Sequence, residues 1–512
     1  MAVNLWTLVQ TFLVIFVSQH LFKRFRTRQA ERQFALEKGC QPLRPWSAKW
    51  PMGLDLLVKV FRYAQEERVL RLFVDVVAES GNTFEQSLLG NKGIDTVDPQ
   101  NIEAILSTDF ANYHLGLRPV HFKPLLGSGI FTQDAAAWKQ SRQLLRPQFA
   151  SNRHQNFLQI QRCVQEIIDS VPDDGIVDLQ PLFFKLTFNT TMFLLFGDDV
   201  EATSWGEVAG QESKFAAAFN LSQDYLASRG RVGDLYWLLN DRKFRDACDT
   251  CHQFVNGAVE RALATSESKE TADDEGYVFI KALVQQTQDP QVLRDQCLNV
   301  LLAGRDTTGC ALTWSFRLLA RHPRVLDRLR REVQEHAGVG PHAELPTREA
   351  LKRMTYLSLV IKEVLRLYPS VPVNSRTATK MTTLPTGGGP DGKSPVLVRA
   401  GAPVGYSVYV MHRRKDLYGE DANEFRPERW ENDDLKDIGW GYLPFNNGPR
   451  VCLGQEFALL LVSYTIARFI QLFPVIQVAD GDSGSAVGEE KQTLTLVVSC
   501  AEGCKVSLGR TK

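Results

Sequence analysis

The residues of this chain that could do chemistry fall into a few short segments. The most specific is Phe445-Asn-Asn-Gly448-Pro-Arg450-Val-Cys452-Leu-Gly454. A thiolate that ligates iron needs N–H donors around its sulfur and close approach of the backbone, and Gly448 and Gly454 permit that approach. Arg450 supplies a cation for an anionic group of a cofactor. A helical pattern starts just after Cys452 (Phe457, Ala458, Leu460, Leu461), and its positive N-terminal end favours a thiolate. A second segment, Ala303-Gly304-Arg305-Asp306-Thr307-Thr308, lies inside a long apolar run. There Gly304 removes a side chain and lets a flat cofactor come close. Thr307 can hydrogen-bond an oxygen ligand, and Asp306 can relay protons to it. In a third, Glu363 and Arg366 set opposite charges three apart on one helix face.

The elements that must position these groups are mostly helices. Leu351, Met354, Leu357, Ile361, Val364, Leu365 and Tyr368 recur at helical spacing until Pro369 ends the run, so Glu363 and Arg366 sit on an otherwise apolar helix. Residues Cys297 to Ser315 are apolar on several faces, as a helix buried in a large core would be. Strand-like pieces occur at Pro395–Arg399, Val404–Val410 and Leu494–Ser499, and loops are expected at Thr265–Gly276, Thr386–Pro395 and Asp480–Lys491. The fold class expected is mainly α with a smaller β portion. Arg317, Arg321, Arg324, Arg328 and Arg331 fall at helical spacing and read as a solvated face.

Two motif matches fail on context. Gly387 to Ser394 fits the phosphate-loop pattern, but that loop needs a helix beginning at its lysine, and Pro395 and an apolar strand follow instead. Cys248-Asp-Thr-Cys251-His252 fits the attachment pattern of a c-type haem, yet Arg245 to Leu263 reads as one helix of packing residues.

Composition bounds the rest. Lys plus Arg number 59 and Asp plus Glu number 59, so no basic field argues for nucleic acid. Hydrophobic residues at 44% and charged residues at 23% are globular values that allow a large core. Nine cysteines are too few for a disulfide scaffold. Val3 to Phe22 carries no charged residue, and Lys23, Arg24, Arg26 and Arg28 follow at once. About 20 residues can cross a ~30 Å hydrocarbon layer, and the basic flank stays cytosolic. The stretch is diluted by Asn4, Thr7, Gln10, Thr11, Ser18, Gln19 and His20, and an in-plane helix is the rival reading. The organisation expected is a transmembrane anchor over 1–22, a basic, proline-containing linker over 23–52, and a single catalytic domain over 53–512.

With these motifs in this order the chain resembles the cytochrome P-450 superfamily of haem-thiolate monooxygenases along its whole length. The resemblance implies that Cys452 is the axial ligand of haem b iron, within a cofactor-binding set of Phe445, Gly448, Arg450 and Gly454. It implies that Gly304, Asp306 and Thr307 belong to the oxygen-binding segment, with Asp306 and Thr307 catalytic. Phe425-Arg-Pro427-Glu428-Arg429-Trp430 stands at the family distance before Cys452, so Glu363, Arg366 and Arg429 are expected to form a buried structural triad. Trp138-Lys-Gln-Ser-Arg142 and Arg376 match elements that contact the haem propionates. The implied reaction takes one oxygen atom of O2 into a C–H bond of a hydrophobic substrate, with electrons from NADPH through a separate reductase. The implied location is the endoplasmic reticulum membrane, single-pass, with the catalytic domain cytosolic. Part of the arginine run could then dock an acidic reductase.

Several stretches look closest to the fungal alkane and fatty-acid ω-hydroxylase group: Leu126 to Asp134, Thr383 to Gly392, Met411 to Gly419 and the Cys452 segment. Terminal hydroxylation of a long apolar chain is the reaction this implies. A tailoring monooxygenase of fungal secondary metabolism is the alternative, and a non-catalytic haem-binding sensor or carrier is the alternative of another class.

Overall fold

The computed structural model describes residues 5–46, 50, 53–88, 91–150, 153–197, 209–267, 279–479 and 484–510. Residues 268–276 of the first expected loop, 480–483 of the third and Pro51 of the linker lie outside the described residues. The helices that matter below are α1 (Leu5–Glu37), α2 (Arg118–Leu126), α3 (Ala135–Ala150), α4 (Leu179–Phe196), α5 (Ala209–Val232), α6 (Arg242–Glu267), α7 (Pro290–Arg321), α8 (Pro323–Ala337), α9 (Thr355–Leu367) and α10 (Gln455–Leu472). The strands are β1 (Arg44–Pro45), β2 (Thr83–Leu88), β3 (Asn91–Thr96), β4 (Tyr113–His114), β5 (Asp174–Asp178), β6 (Val373–Ala378), β7 (Thr382–Gly388), β8 (Ser394–Val398), β9 (Pro403–Ser407), β10 (Val475–Val478), β11 (Gln492–Leu494), β12 (Val498–Cys500) and β13 (Lys505–Gly509). The chain is thus mainly helical with a smaller strand portion, and it divides into two compact units.

One unit comprises Met1–Leu56, Val76–His114 and Ser375–Tyr406. It is built on a mixed sheet in the order β1-β2-β3-β9-β6-β4, with Ile94 opposite Val404 and Tyr113 opposite Ala378. A separate hairpin, β7–β8, turns through Gly389 and Gly392, both at positive φ. No helix follows Lys393, so the phosphate-loop match is a hairpin turn. Helix α1 runs without a break through the basic stretch to Glu37, where an end near residue 22 was expected. Its apolar side chains, Phe12 to Val17 among them, are exposed. Among the described residues no helix is long and apolar enough to cross a membrane. Gln10, Thr11, Ser18, Gln19 and His20 dilute its apolar stretch. The far end of α1 is tied down: Glu31 accepts from Arg399 Nε at 3.1 Å, and the Gln41 N–H donates to the Pro395 carbonyl at 2.9 Å.

The other unit comprises Leu57–Asp75, Leu115–Asn374 and Ser407–Lys512. Its axis is α7. Asp289 caps that helix by accepting from the Gln291 N–H at 2.9 Å, and Pro290 occupies the first turn, where no N–H is needed. Helix α4 lies against α7 at two glycines. A Cβ on Gly304 would stand 2.4 Å from Thr191 Oγ1, and one on Gly309 would stand 2.8 Å from a Phe184 ring carbon. The Thr187 hydroxyl crosses between the helices to the Arg305 carbonyl at 2.6 Å. The arginine run is no single face. His322 separates α7 from α8, Arg317 is buried beside Glu502, and Arg328 pairs with Glu428 and Glu431. Cys248 and Cys251 are buried on α6 in the large apolar cluster, and a His252 ring nitrogen meets the Leu125 carbonyl, as the packing reading expected. Strands β10, β13 and β5 form an antiparallel sheet, and β11–β12 a short hairpin.

Candidate functional site

Cys452 sits in the turn between a short 3-10 helix, Gly448–Arg450, and the start of α10. Gly448 and Asn446 take positive φ, so the chain folds tightly on itself ahead of the cysteine. The Cys452 N–H donates to the Phe445 carbonyl at 3.0 Å, which fixes the loop across its mouth. Cys452 as a residue is exposed, yet burial by the surrounding chain is the largest influence on its thiol and raises it. The Gly454 N–H and the Arg142 guanidinium act the other way and favour the thiolate.

A cationic cluster stands beside that turn. Trp138 is buried, with the Arg450 guanidinium 4.4 Å and the Arg142 guanidinium 6.0 Å from its ring centre. Arg142 Nη1 donates to the Val451 carbonyl at 2.9 Å. Arg450 Nη2 donates to the Gln133 carbonyl at 2.9 Å and to Asp134 Oδ1 at 2.8 Å. Asp134 Oδ2 in turn accepts from the Leu115 N–H at 3.1 Å. The loop that carries these acceptors, Gly127 to Asp134, is bonded to α7: the Ser128 N–H reaches Asp295, the Phe131 N–H reaches Asn299, and Asn299 Nδ2 reaches the Leu126 carbonyl. A Cβ at Gly127 or Gly129 would strike Asp295 or Asn299, which is why glycines stand there. Arg376 belongs to the other unit, where it is buried with Nη1 on the Ser375 carbonyl at 2.7 Å.

On α7, every position from Asp295 to Leu319 is buried except Ala303, Gly304 and Thr307. These three share one face and are partly exposed on an otherwise enclosed helix. The Thr307 hydroxyl donates to the Ala303 carbonyl at 2.6 Å, and the Thr307 carbonyl accepts from Ser370 Oγ at 2.8 Å. The close approach that Gly304 permits is the one to Thr191 of α4. Asp306 is buried and paired with Arg305 at 2.8 Å, while Arg305 also reaches Asn220 of α5 at 2.9 Å. Burial is the largest influence on the Asp306 carboxyl and raises it; Arg305 and Gln223 lower it. Its Oδ2 is buried with no hydrogen-bond partner among the described residues.

Glu363, Arg366 and Arg429 meet in the interior. Arg366 embraces Glu363 with Nε and Nη2, both at 2.8 Å, and Arg429 Nε reaches Glu363 Oε1 at 2.8 Å. Trp430 Nε1 at 2.9 Å and the Arg426 N–H at 3.1 Å complete the shell of the carboxylate. The remaining Arg366 donors take the carbonyls of His412, Ala422 and Glu424. His412 is fully buried between the Arg366 carbonyl and the Leu443 N–H, and burial lowers it to about 3.

The donor set fits a haem. Among the described residues no cluster of three His, Cys, Asp or Glu could hold a bare metal ion. One thiolate suits an iron whose other ligands come from a macrocycle, and Arg142 and Arg450 suit its carboxylates. Partly covered apolar residues of the Cys452 segment, Phe445, Leu453 and Phe457, suit its flat apolar body. The sequence reading missed Asp134 and His412 as partners. Both stand inside stretches it quoted, but nothing in a linear sequence says what a side chain will meet.

The family model described as Cytochrome P450 matches residues 49–491. A protein named Cytochrome P450 from Arthroderma benhamiae is 60% identical over 505 residues, covering 98% of each chain. Cytochrome P450 52A13 from Debaryomyces hansenii is 44% identical over 85% of this chain and 86% of its own. Cytochrome P450 52A5 from Candida maltosa is 47% identical over 77% of each.

Proposed function

The chain belongs to the cytochrome P450 family, and on that premise we propose that this monooxygenase hydroxylates a long apolar chain, an alkane or a fatty acid, near its end. Its cofactor is haem b, its electrons come from NADPH through a separate reductase, and its reactants are O2 and a hydrophobic substrate. Haem, when bound, supplies the activation of dioxygen that puts one oxygen atom into a C–H bond and releases the other as water.

The chain's residues then take these parts. Cys452 would hold the haem iron through its thiolate, which the Gly454 N–H and Arg142 favour. Phe445, Gly448 and Gly454 shape the loop that presents it. Trp138, Arg142 and Arg450 would hold the propionates, a part that the resemblance also gives to Arg376. Thr307 carries a hydroxyl proton on the partly exposed face of α7, and Asp306, next to it and raised by burial, hands protons on. Glu363, Arg366 and Arg429 brace the segment that leads into the cysteine loop. Residues 53–512 act as one catalytic body. The apolar first half of α1 attaches it to the endoplasmic reticulum membrane from the cytosolic side, with Lys23, Arg24, Arg26 and Arg28 at the headgroups.

The observation that carries the site is Cys452, accessible and yet desolvated. The substrate reading is supported by the likeness of the Leu126–Asp134, Thr383–Gly392 and Met411–Gly419 stretches to the ω-hydroxylase group. A carbon monoxide difference spectrum of the reduced protein tests the thiolate. Spectral titration and product analysis with alkanes and fatty acids test the substrate. A colourless protein would overturn the first, and no shift and no hydroxylated product the second.

A further inference from the structure

Two arginines end α5, and they do different work. Arg229 is buried and spent: Nε donates to the His121 carbonyl at 3.1 Å, Nη1 to Leu239 at 2.9 Å and Nη2 to Val120 at 3.4 Å, between the rings of Tyr236 and Phe244. Arg231 is exposed and makes one hydrogen bond, from Nη2 to the carbonyl of Leu494. Among the described residues no carboxylate lies within ion-pair distance of it. Asp224, two turns earlier, is the charged group that acts on it from farther away. Burial lowers the Arg231 guanidinium although the side chain is accessible, the same combination that marks Cys452.

The partner of Arg231 matters. Leu494 ends β11 and pairs with Val498 of β12. The Val498 N–H donates to the Ser370 carbonyl at 3.1 Å, and Ser370 Oγ donates to the Thr307 carbonyl at 2.8 Å. Trp314 of α7 holds the same strand through the Val498 carbonyl at 3.1 Å. One short hairpin therefore has its inner strand fastened beside Thr307 and its outer strand holding Arg231. Leu496 at its tip packs against the large apolar cluster. Beyond Arg231 the chain turns through Leu235, Trp237 and Leu238, which are exposed. Between its two ends the hairpin's residues Leu494, Leu496, Val497 and Val498 are apolar, and Arg231 holds its Leu494 end.

A guanidinium has five N–H donors in a planar fork that matches a carboxylate. Arg231 uses one, on a neutral carbonyl. We propose that Arg231 is the site that receives the carboxylate of a long-chain fatty acid whose far end lies at the partly exposed Thr307 face of α7. The substrate class is then the free fatty acid in preference to the alkane. This rests on the chain-hydroxylase reading above and narrows it. Asp224 weakens the site by its like charge to the ligand.

The test is spectral titration of the full-length holoenzyme with dodecanoate and with dodecane, together with equilibrium dialysis of labelled dodecanoate. Arg231→Met is the first variant. Arg231→Gln, which keeps a donor for the Leu494 carbonyl without the charge, is the second, and each is scored only on protein with the wild-type carbon monoxide spectrum. Both should bind dodecanoate roughly tenfold or more weakly, as loss of a charge-assisted pair implies, with dodecane binding unchanged. Arg231→Lys should retain most of the dodecanoate affinity, and Asp224→Asn should raise it. Equal changes for both ligands, or no change for dodecanoate, would overturn the proposal. Wild-type protein that binds dodecane but not dodecanoate overturns it too and leaves the chain-hydroxylase reading standing. Protein that binds neither ligand sinks that reading as well.

Discussion

Cys452 joins accessibility to desolvation, and each neighbour leaves a measurable trace. Cys452→Ala should abolish the thiolate-type carbon monoxide spectrum and all turnover. Thr307→Ala and Asp306→Asn should leave that spectrum intact while NADPH consumption outruns product; full coupling in both would show that these side chains carry no protons. Glu363 is shared by two guanidiniums, an indole and a backbone N–H. Removing one member of such a buried cluster costs about 3–5 kcal/mol, so Glu363→Ala should fail to accumulate coloured protein. His412 gives a pH signature. Burial lowers it to about 3, below the ~6.5 of an unfolded chain. Its contribution is therefore complete above pH ~6.5 and is lost as pH falls from there toward 3, at up to about 1.4 kcal/mol per pH unit. Urea midpoints at pH 7 and 5 should diverge, and the divergence should shrink in His412→Asn.

At the scale of elements, the close contact between α4 and α7 makes a separate prediction. Gly304→Ala would push a methyl group into Thr191, and overpacking of that kind costs about 1–3 kcal/mol. Denaturant unfolding should report the loss, and Thr191→Ala in the same chain should recover part of it. Full stability together with poor haem retention would instead mean that Gly304 makes room for the cofactor. Such pairings explain what could be read in advance. The periodicity of Leu357 to Leu365 gave α9, while Leu351 falls on a separate short helix, Arg348–Arg353, and Met354 in the break between them; the apolar run around Gly304 gave a buried helix, because burial leaves its mark on one segment alone. The cysteine loop was legible because its glycines and its thiol serve a local geometry. The division of labour between Arg229 and Arg231 was not, since their partners His121 and Leu494 are 108 and 263 positions away.

For the whole molecule, the proposed membrane attachment through α1 makes a prediction. Its apolar half is exposed and its last turns are bonded through Glu31 to Arg399. Removal of residues 1–30 should move much of the protein into the soluble fraction with its haem spectrum intact, whereas a cut beyond Glu31 should also lower the melting temperature. The arginine run from 317 to 331 read as one face only while it was seen in one dimension; the break at His322 turned its members toward different partners. The bond between Asp134 and Arg450 closes a span of 316 positions. On the ribosome, the loop from Gly127 to Asp134 must therefore wait unlatched while three-fifths of the polypeptide is still being made. A nascent chain stalled before codon 450 will be colourless whatever the supply of haem, because neither the partner of Asp134 nor Cys452 has yet been made.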